Sequence, residues 1–86
     1  MKSKRAPKKK PKKPIDPLVA QLGARIRQLR KKEGFTSYED FANDRELPAS
    51  QYGRYEKGQN LRYTSLVKVA KTFGMNLSEF FSEGFD

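Results

Sequence analysis

The chain has 86 residues and a formal charge of +9 at neutral pH, and it contains neither Cys nor His. This length fits one small domain, and the two missing residue types exclude disulfides, thiolate or imidazole metal sites and the commonest general base, so we expect no metal, no cofactor and no enzyme activity. No apolar run is long enough to span a membrane and no signal peptide is recognisable, so we expect a cytoplasmic protein without membrane contact.

The positive charge is concentrated at the N-terminus. Residues 1–14 hold eight of the 19 Lys and Arg residues, which leaves 11 against 10 acidic residues in the remainder. With almost no apolar side chains this tail is expected to be disordered, and the folded domain is expected to span residues 15–86. The favoured interpretation of the tail is an arm that neutralises nucleic-acid phosphates; a solubilising or nuclear-targeting tail is the alternative.

The first predicted helix begins with Asp16 as its N-cap and Pro17 at its first position. An apolar stripe at helical spacing predicts its buried face, which consists of Leu18, Leu22, Ile26 and Leu29. Gly34 is typical of a helix C-terminus. The basic residues of this helix are Arg25, Arg27, Arg30, Lys31 and Lys32. Most of these are expected to form a solvated face, with Arg30 as the exception.

Two short helices joined by a tight connection come next. Ser37 is predicted to cap the second helix, in a capping box with Asp40. Phe41 and Ala42 are expected to face inward, and the following residues should end the helix near Asn43.

The third helix is predicted over residues 48–57, with Pro48 as its first residue. A helical wheel places Tyr52 and Tyr55 on the buried side. The opposite face mixes small and long polar side chains without an acid, namely Ser50, Gly53, Arg54 and Lys57, flanked by Ala49 and Gln51. Such a surface can approach a phosphate-lined groove closely, reach base edges and touch the backbone.

The rest of the chain predicts a fourth helix over residues 64–73, ended by Gly74, and a short fifth helix that begins with a capping box of Asn76 and Glu79. The residues expected to close the core there are Leu77, Phe80 and Phe81. Phe85 lies beyond any predicted helix, and an exposed aromatic residue near a terminus indicates a partner. We therefore expect a homodimer through the fifth helix and the residues after it, with Phe85 folding back on its own domain as the alternative.

This ordered set of residues resembles the Cro/cI-type (XRE) helix-turn-helix family of phage repressors and small bacterial regulators. The residues that carry the resemblance are Leu22, Ile26, Leu29 and Arg30 in helix 1, Phe41 and Ala42 in helix 2, Leu47, Tyr52, Tyr55, Glu56, Lys57 and Gly58 around helix 3, and Leu66, Val69 and Ala70 in helix 4. The resemblance implies a compact all-α, five-helix domain of the lambda-repressor type, with helix 2 across the DNA backbone and helix 3 in the major groove. It also implies an ion pair between Arg30 and Glu56.

The chain departs from the family pattern at three positions. Tyr38 stands where the family usually has a Gln that supports DNA contacts, and Pro48 replaces the usual Ser or Thr cap of helix 3. Glu46 replaces the turn Gly, so it must either accept a left-handed conformation or belong to a rearranged turn. Gly53 in the middle of helix 3 either permits close contact with a sugar or thymine methyl or is tolerated without a function.

These observations together predict double-stranded DNA as the ligand. The expected base contacts are Ala49, Ser50, Gln51, Gly53 and Arg54. The expected phosphate contacts are Ser37, Tyr38, Lys57, Gln59, Asn60 and Arg62. The predicted function is sequence-specific regulation of transcription, as a repressor on the bacterial nucleoid. The alternative is an antitoxin or transcriptional adaptor whose main partner is another protein, which is favoured by acidic residues near the DNA-facing helices, namely Glu39, Asp40, Asp44 and Glu46.

Overall fold

The computed structural model describes residues 16–85, and this part of the chain folds into helices without a strand. The five helices are α1 (Pro17–Lys32), α2 (Tyr38–Asp44), α3 (Ala49–Glu56), α4 (Tyr63–Thr72) and α5 (Leu77–Phe80). The all-α, five-helix prediction is confirmed. The predicted basic tail lies outside the described residues. None of the five helices is long and apolar enough to cross a membrane.

The helix starts follow the predicted caps closely. The Asp16 side chain accepts a hydrogen bond from the Leu18 amide at 2.9 Å, and Ser37 Oγ accepts one from the Asp40 amide at 3.3 Å. The capping box predicted for Ser37 and Asp40 is only half formed, since within residues 16–85 the reciprocal bond to the Asp40 side chain is absent. At α5 both bonds of the capping box between Asn76 and Glu79 are present. These bonds satisfy amides that a helix start otherwise leaves without partners. Pro48 is the N-cap of α3 and not its first residue, so the helix begins one position later than predicted.

One aromatic group lies at the centre of the core. The Phe41 ring stacks on Phe73 with centroids 5.0 Å apart, and it contacts Tyr52 at 5.2 Å and Phe35 at 5.4 Å. The buried apolar residues are Ile26, Leu29, Phe41, Ala42, Tyr52, Tyr55, Val69, Ala70, Phe73 and Phe80. These include most of the positions predicted to face inward, and they pack α2 and α3 onto α1 and α4.

Two predicted core residues are exposed. Leu18 is 73% exposed because it lies in the first turn of α1, beyond the reach of the other helices. Phe81 is 41% exposed: it follows the fully buried Phe80, and adjacent residues on a helical turn point about 100° apart. Phe85 is half-buried and folds back on its own domain, with its ring 4.7 Å from Phe81 and 6.1 Å from Phe80. The structure therefore agrees with the alternative expectation for Phe85, in which its ring packs on its own domain.

Arg25 is buried, contrary to the expectation that it belongs to a solvated basic face on α1. It is only 3% exposed, and its guanidinium donates to the carbonyl of Phe80 at 2.7 Å and to that of Glu79 at 3.1 Å. It also donates to the Gln28 side chain and lies 3.7 Å from the Glu83 carboxylate. Arg25 thus satisfies carbonyls at the end of α5 and attaches the C-terminal segment to α1.

Candidate nucleic-acid interface

Arg30 and Glu56 join α1 to the last turn of α3. Arg30 Nε donates to Glu56 Oε2 at 2.8 Å and Arg30 Nη2 donates to Glu56 Oε1 at 3.0 Å, so the pair is bidentate. The two side chains are only 5% and 8% exposed. A third bond runs from Arg30 Nη1 to the Phe35 carbonyl at 2.9 Å. The hydrogen bond to Glu56 raises the pKa of Arg30, and the predicted ion pair is present.

Gly23 allows α1 and α3 to approach closely at the same place. A Cβ atom at Gly23 would lie 2.6 Å from the carbonyl oxygen of Glu56 and 3.0 Å from the amide nitrogen of Gly58. Both neighbours are backbone atoms, so a side chain here would push the end of α3 away from α1. A glycine in the interior of a helix is a signal of such a contact, but it does not indicate which element approaches.

In the turn between α2 and α3, Glu46 adopts a left-handed conformation, which was one of the two expectations for this residue. Its φ is 59°, and the next amide, of Leu47, donates to the Ala42 carbonyl at 2.8 Å. A non-glycine residue in this conformation costs roughly 1 to 2 kcal/mol. The turn therefore has a left-handed residue at the position where the family that the sequence resembles has Gly.

Arg45 holds this turn against the ends of two other helices. Its guanidinium donates to the Thr72 carbonyl at 2.7 Å, to Glu33 at 2.6 Å and to Asp44 at 3.0 Å. The bond to Glu33 is the largest cause of the raised pKa of Arg45. The guanidinium also lies 4.8 Å from the centre of the Phe41 ring. The sequence alone does not indicate this role, because Glu33 and Thr72 come from distant elements.

The outer face of α3 carries most of the predicted base contacts. Ser50, Gln51 and Arg54 are exposed, and Ala49 is half-buried. Gly53 is buried instead, beneath the side chain of Tyr38, so it presents little surface to a ligand and is removed from the candidate base contacts. The exposed face of α3 has no acidic side chain, in agreement with the helical wheel.

The predicted phosphate contacts fall into three groups. Ser37 and Tyr38 are half-buried at the start of α2. The loop between α3 and α4 exposes Gln59, Asn60 and Arg62, and these three line one polar depression together with Gln51 of α3. Lys57 is exposed, but it lines a separate groove with the α1 residues Arg27, Lys31 and Lys32. The structure thus joins the loop to α3 and places Lys57 beside basic residues that sequence reasoning treated as a solvated face.

The acidic residues around α2 have local explanations. Asp44 pairs with Arg45 at 3.0 Å. Glu39 and Asp40 lie in the first turn of α2, where negative side chains interact favourably with the helix dipole. In residues 16–85 no group of three or more acidic side chains is arranged to hold a metal ion.

Tyr52 places a hydroxyl inside the core, close to the ion pair. The side chain is fully buried, and within the described residues its oxygen has no hydrogen-bond partner. Burial, followed by the neighbouring Glu56 carboxylate, raises the pKa of Tyr52 well above its usual range. The Tyr52 ring therefore belongs to the core, while its hydroxyl lies next to the buried ion pair.

Comparison with known proteins gives two matches to the chain. A family model described as helix-turn-helix matches residues 26–80. The chain is 33% identical over 70 residues to the control protein C.MunI of Mycoplasma sp, and this alignment covers 80% of the chain and 95% of the relative. No solved structure matches the chain.

Proposed function

The chain belongs to the helix-turn-helix family of DNA-binding transcriptional regulators, and we propose that it acts as a sequence-specific repressor that recognises duplex DNA with α3. In this proposal α2 lies across the DNA backbone and α3 enters the major groove. We also propose that the protein binds its DNA on the bacterial nucleoid, and we assign it no catalytic step.

The observation that carries the proposal is the exposed polar face of α3 on a helix with a fixed position. Ser50, Gln51 and Arg54 point to solvent, while the Arg30–Glu56 pair holds the end of the same helix against α1. Recognition of base edges requires side chains that are held in a defined place before binding. An exposed Arg on such a helix has the geometry to donate two hydrogen bonds to a guanine.

The proposed contacts divide by chemistry. The base contacts are Ala49, Ser50, Gln51 and Arg54. The phosphate contacts are Ser37, Lys57, Gln59, Asn60 and Arg62. Tyr38, which was also expected to contact phosphate, is assigned another role below because its ring packs against Gly53. Three further arginines belong to the fold, since Arg25, Arg30 and Arg45 hydrogen bond to carbonyls and carboxylates of the protein itself.

The basic tail, residues 1–14, adds salt-dependent affinity without sequence preference, because Lys and Arg near phosphates release bound counterions.

We also propose a homodimer, with α5 and the residues after it as the interface. Phe81 exposes an aromatic ring next to the half-buried Phe85, and Arg25 holds this segment in place. Two copies related by a two-fold axis would bind a palindromic operator. Sedimentation of the full chain at micromolar concentration tests this: a dimer that Phe81→Ser converts to monomer is expected. Monomer alone, with and without operator DNA, would exclude it.

A reporter assay tests the proposed repression. The operator, obtained by selecting bound duplexes from a random pool, is placed across the start of a reporter promoter, and the chain is expressed in the same cells. We expect lower reporter output with the wild-type chain and restored output with Arg54→Ala. Unchanged output with a chain that binds the operator in vitro would contradict repression, and higher output would identify an activator.

A further inference from the structure

Gly53 lies inside α3, and its backbone is helical, so its conformation does not require glycine. Glycine lowers the stability of a helix interior relative to alanine, so its presence there needs another reason. A Cβ atom at this position would lie 2.6 Å from Cε1 of Tyr38, 3.0 Å from its Cζ and 3.1 Å from its Cδ1. The tyrosine ring therefore occupies the space that a side chain at position 53 would need.

Tyr38 is the first residue of α2, directly after the Ser37 cap, and its ring packs against the core while remaining half-buried. The ring thus lies between the first turn of α2 and the middle of α3. Since residues three or four positions apart are neighbours on a helix, position 53 is adjacent to Ser50 on one side and Lys57 on the other. The contact is made beside two of the proposed DNA-binding side chains.

We infer that Tyr38 is a positioning residue for DNA recognition and that Gly53 is its required partner. The ring sets the distance between α2, which lies across the DNA backbone, and α3, which recognises the bases. A shift of α3 relative to α2 moves its side chains away from base edges while leaving general attraction to phosphates intact. Sequence discrimination, more than overall affinity, should therefore depend on this contact. This inference rests on the proposed function.

The test compares full-length wild type with Tyr38→Phe, Tyr38→Ala, Gly53→Ala and the double variant Tyr38→Ala/Gly53→Ala. Each is titrated with the duplex that the wild type selects from a random pool and with a shuffled duplex of the same composition. The ratio of the two dissociation constants measures discrimination, and a urea unfolding curve for each variant reports its fold. Tyr38→Phe keeps the ring and loses only the hydroxyl, so it is the matched control.

We expect Tyr38→Phe to keep the discrimination ratio within about twofold of wild type, and Tyr38→Ala and Gly53→Ala each to lower it about tenfold, with binding to the shuffled duplex unchanged. The double variant should resemble Tyr38→Ala alone, because both changes act on the same contact. If Gly53→Ala does not fold, the comparison of Tyr38→Ala with Tyr38→Phe decides whether the ring sets sequence discrimination.

A wild-type ratio from Tyr38→Ala, or equal losses from Tyr38→Phe and Tyr38→Ala, would overturn the inference, the second by identifying the hydroxyl as a direct DNA contact. Additive losses in the double variant would overturn it as well. A wild-type chain that fails to discriminate between duplexes would overturn the proposed function itself, so the two failures are distinguishable.

Discussion

Arg30 of α1 and Glu56 of α3 form two parallel hydrogen bonds, 2.8 Å and 3.0 Å long, although 26 residues separate them in sequence. The pair is almost completely removed from solvent, and it lies at the end of the helix proposed to recognise DNA. Removing one partner of such a pair leaves the other charge buried without compensation. The contact therefore links the stability of the domain to the position of α3.

Replacement of Glu56 by Gln should lower the free energy of unfolding by about 3 to 5 kcal/mol, because the Arg30 charge stays buried without its carboxylate. Urea unfolding of the full chain measures the loss. The matched control is Glu33→Gln, which removes the partly exposed partner of Arg45 and should cost no more than about 1 kcal/mol. A loss below about 0.5 kcal/mol for Glu56→Gln would contradict the role of the pair.

Gly23→Ala should destabilise the domain by about 1 to 3 kcal/mol, because the new methyl group meets backbone atoms of Glu56 and Gly58. Helix propensity alone predicts the opposite sign, a gain of about 1 kcal/mol. The reverse exchange at the exposed neighbour, Ala24→Gly, calibrates the propensity contribution in the same helix. Thermal or urea unfolding gives the sign of the change in stability. A stabilised Gly23→Ala protein would refute the close approach of the two helices.

Arg25→Met should cost about 1.5 to 3 kcal/mol, since the carbonyls of Glu79 and Phe80 lose a charged donor in a buried place. Arg27→Met, at an exposed position on the same helix, should change stability by less than about 0.5 kcal/mol. Amide hydrogen exchange should also speed up in residues 77–85 for Arg25→Met alone. Equal behaviour of the two variants would show that Arg25 does not hold the C-terminal segment.

Tyr52 should make the domain sensitive to alkaline pH. Below a pH of about 10 the hydroxyl is protonated in both the folded and the unfolded state, so it adds no pH dependence. At higher pH the unfolded chain loses this proton while the folded chain, in which the pKa of Tyr52 is raised, keeps it. Stability should then fall by about 1.4 kcal/mol per pH unit.

The measurement is urea unfolding between pH 8 and 11 for wild type and Tyr52→Phe. Tyr52→Phe should lack this part of the alkaline loss. It should also be at least as stable as wild type at neutral pH, because the deleted hydroxyl has no hydrogen-bond partner within residues 16–85. Tyr63→Phe, at a ring that is 68% exposed, is the control and should keep the loss. Identical slopes for wild type and Tyr52→Phe would contradict the explanation.

Local patterns in the sequence predicted most of the fold. Asp16, Ser37 and Asn76 cap their helices as expected, because capping bonds join residues two or three positions apart. Helical periodicity identified Phe41 and Tyr52 as core. It failed for Leu18, which lies in the first turn of α1, and for Phe81, which points away from the direction of the adjacent buried Phe80.

The candidate site was less predictable, because its geometry depends on contacts between distant elements. The burial of Arg25 is explained only by the carbonyls of α5, more than 50 residues away. Gly53 was assigned to DNA because a helical wheel shows which way a position points but not that Tyr38 covers it. The pair of Arg30 and Glu56 came from the family resemblance, since neither charge by itself indicates its partner.

The central claim is that the exposed face of α3 recognises the base sequence, and parallel selections from random duplex DNA with wild type and Arg54→Ala test it most directly. Wild type should enrich a palindromic motif with half-sites about one helical turn apart. Arg54→Ala should enrich the same motif without its preference at one base pair per half-site, with a loss of about 1 to 3 kcal/mol on the wild-type sequence. No enriched motif for wild type, or the same motif with undiminished preference for Arg54→Ala, would contradict the claim.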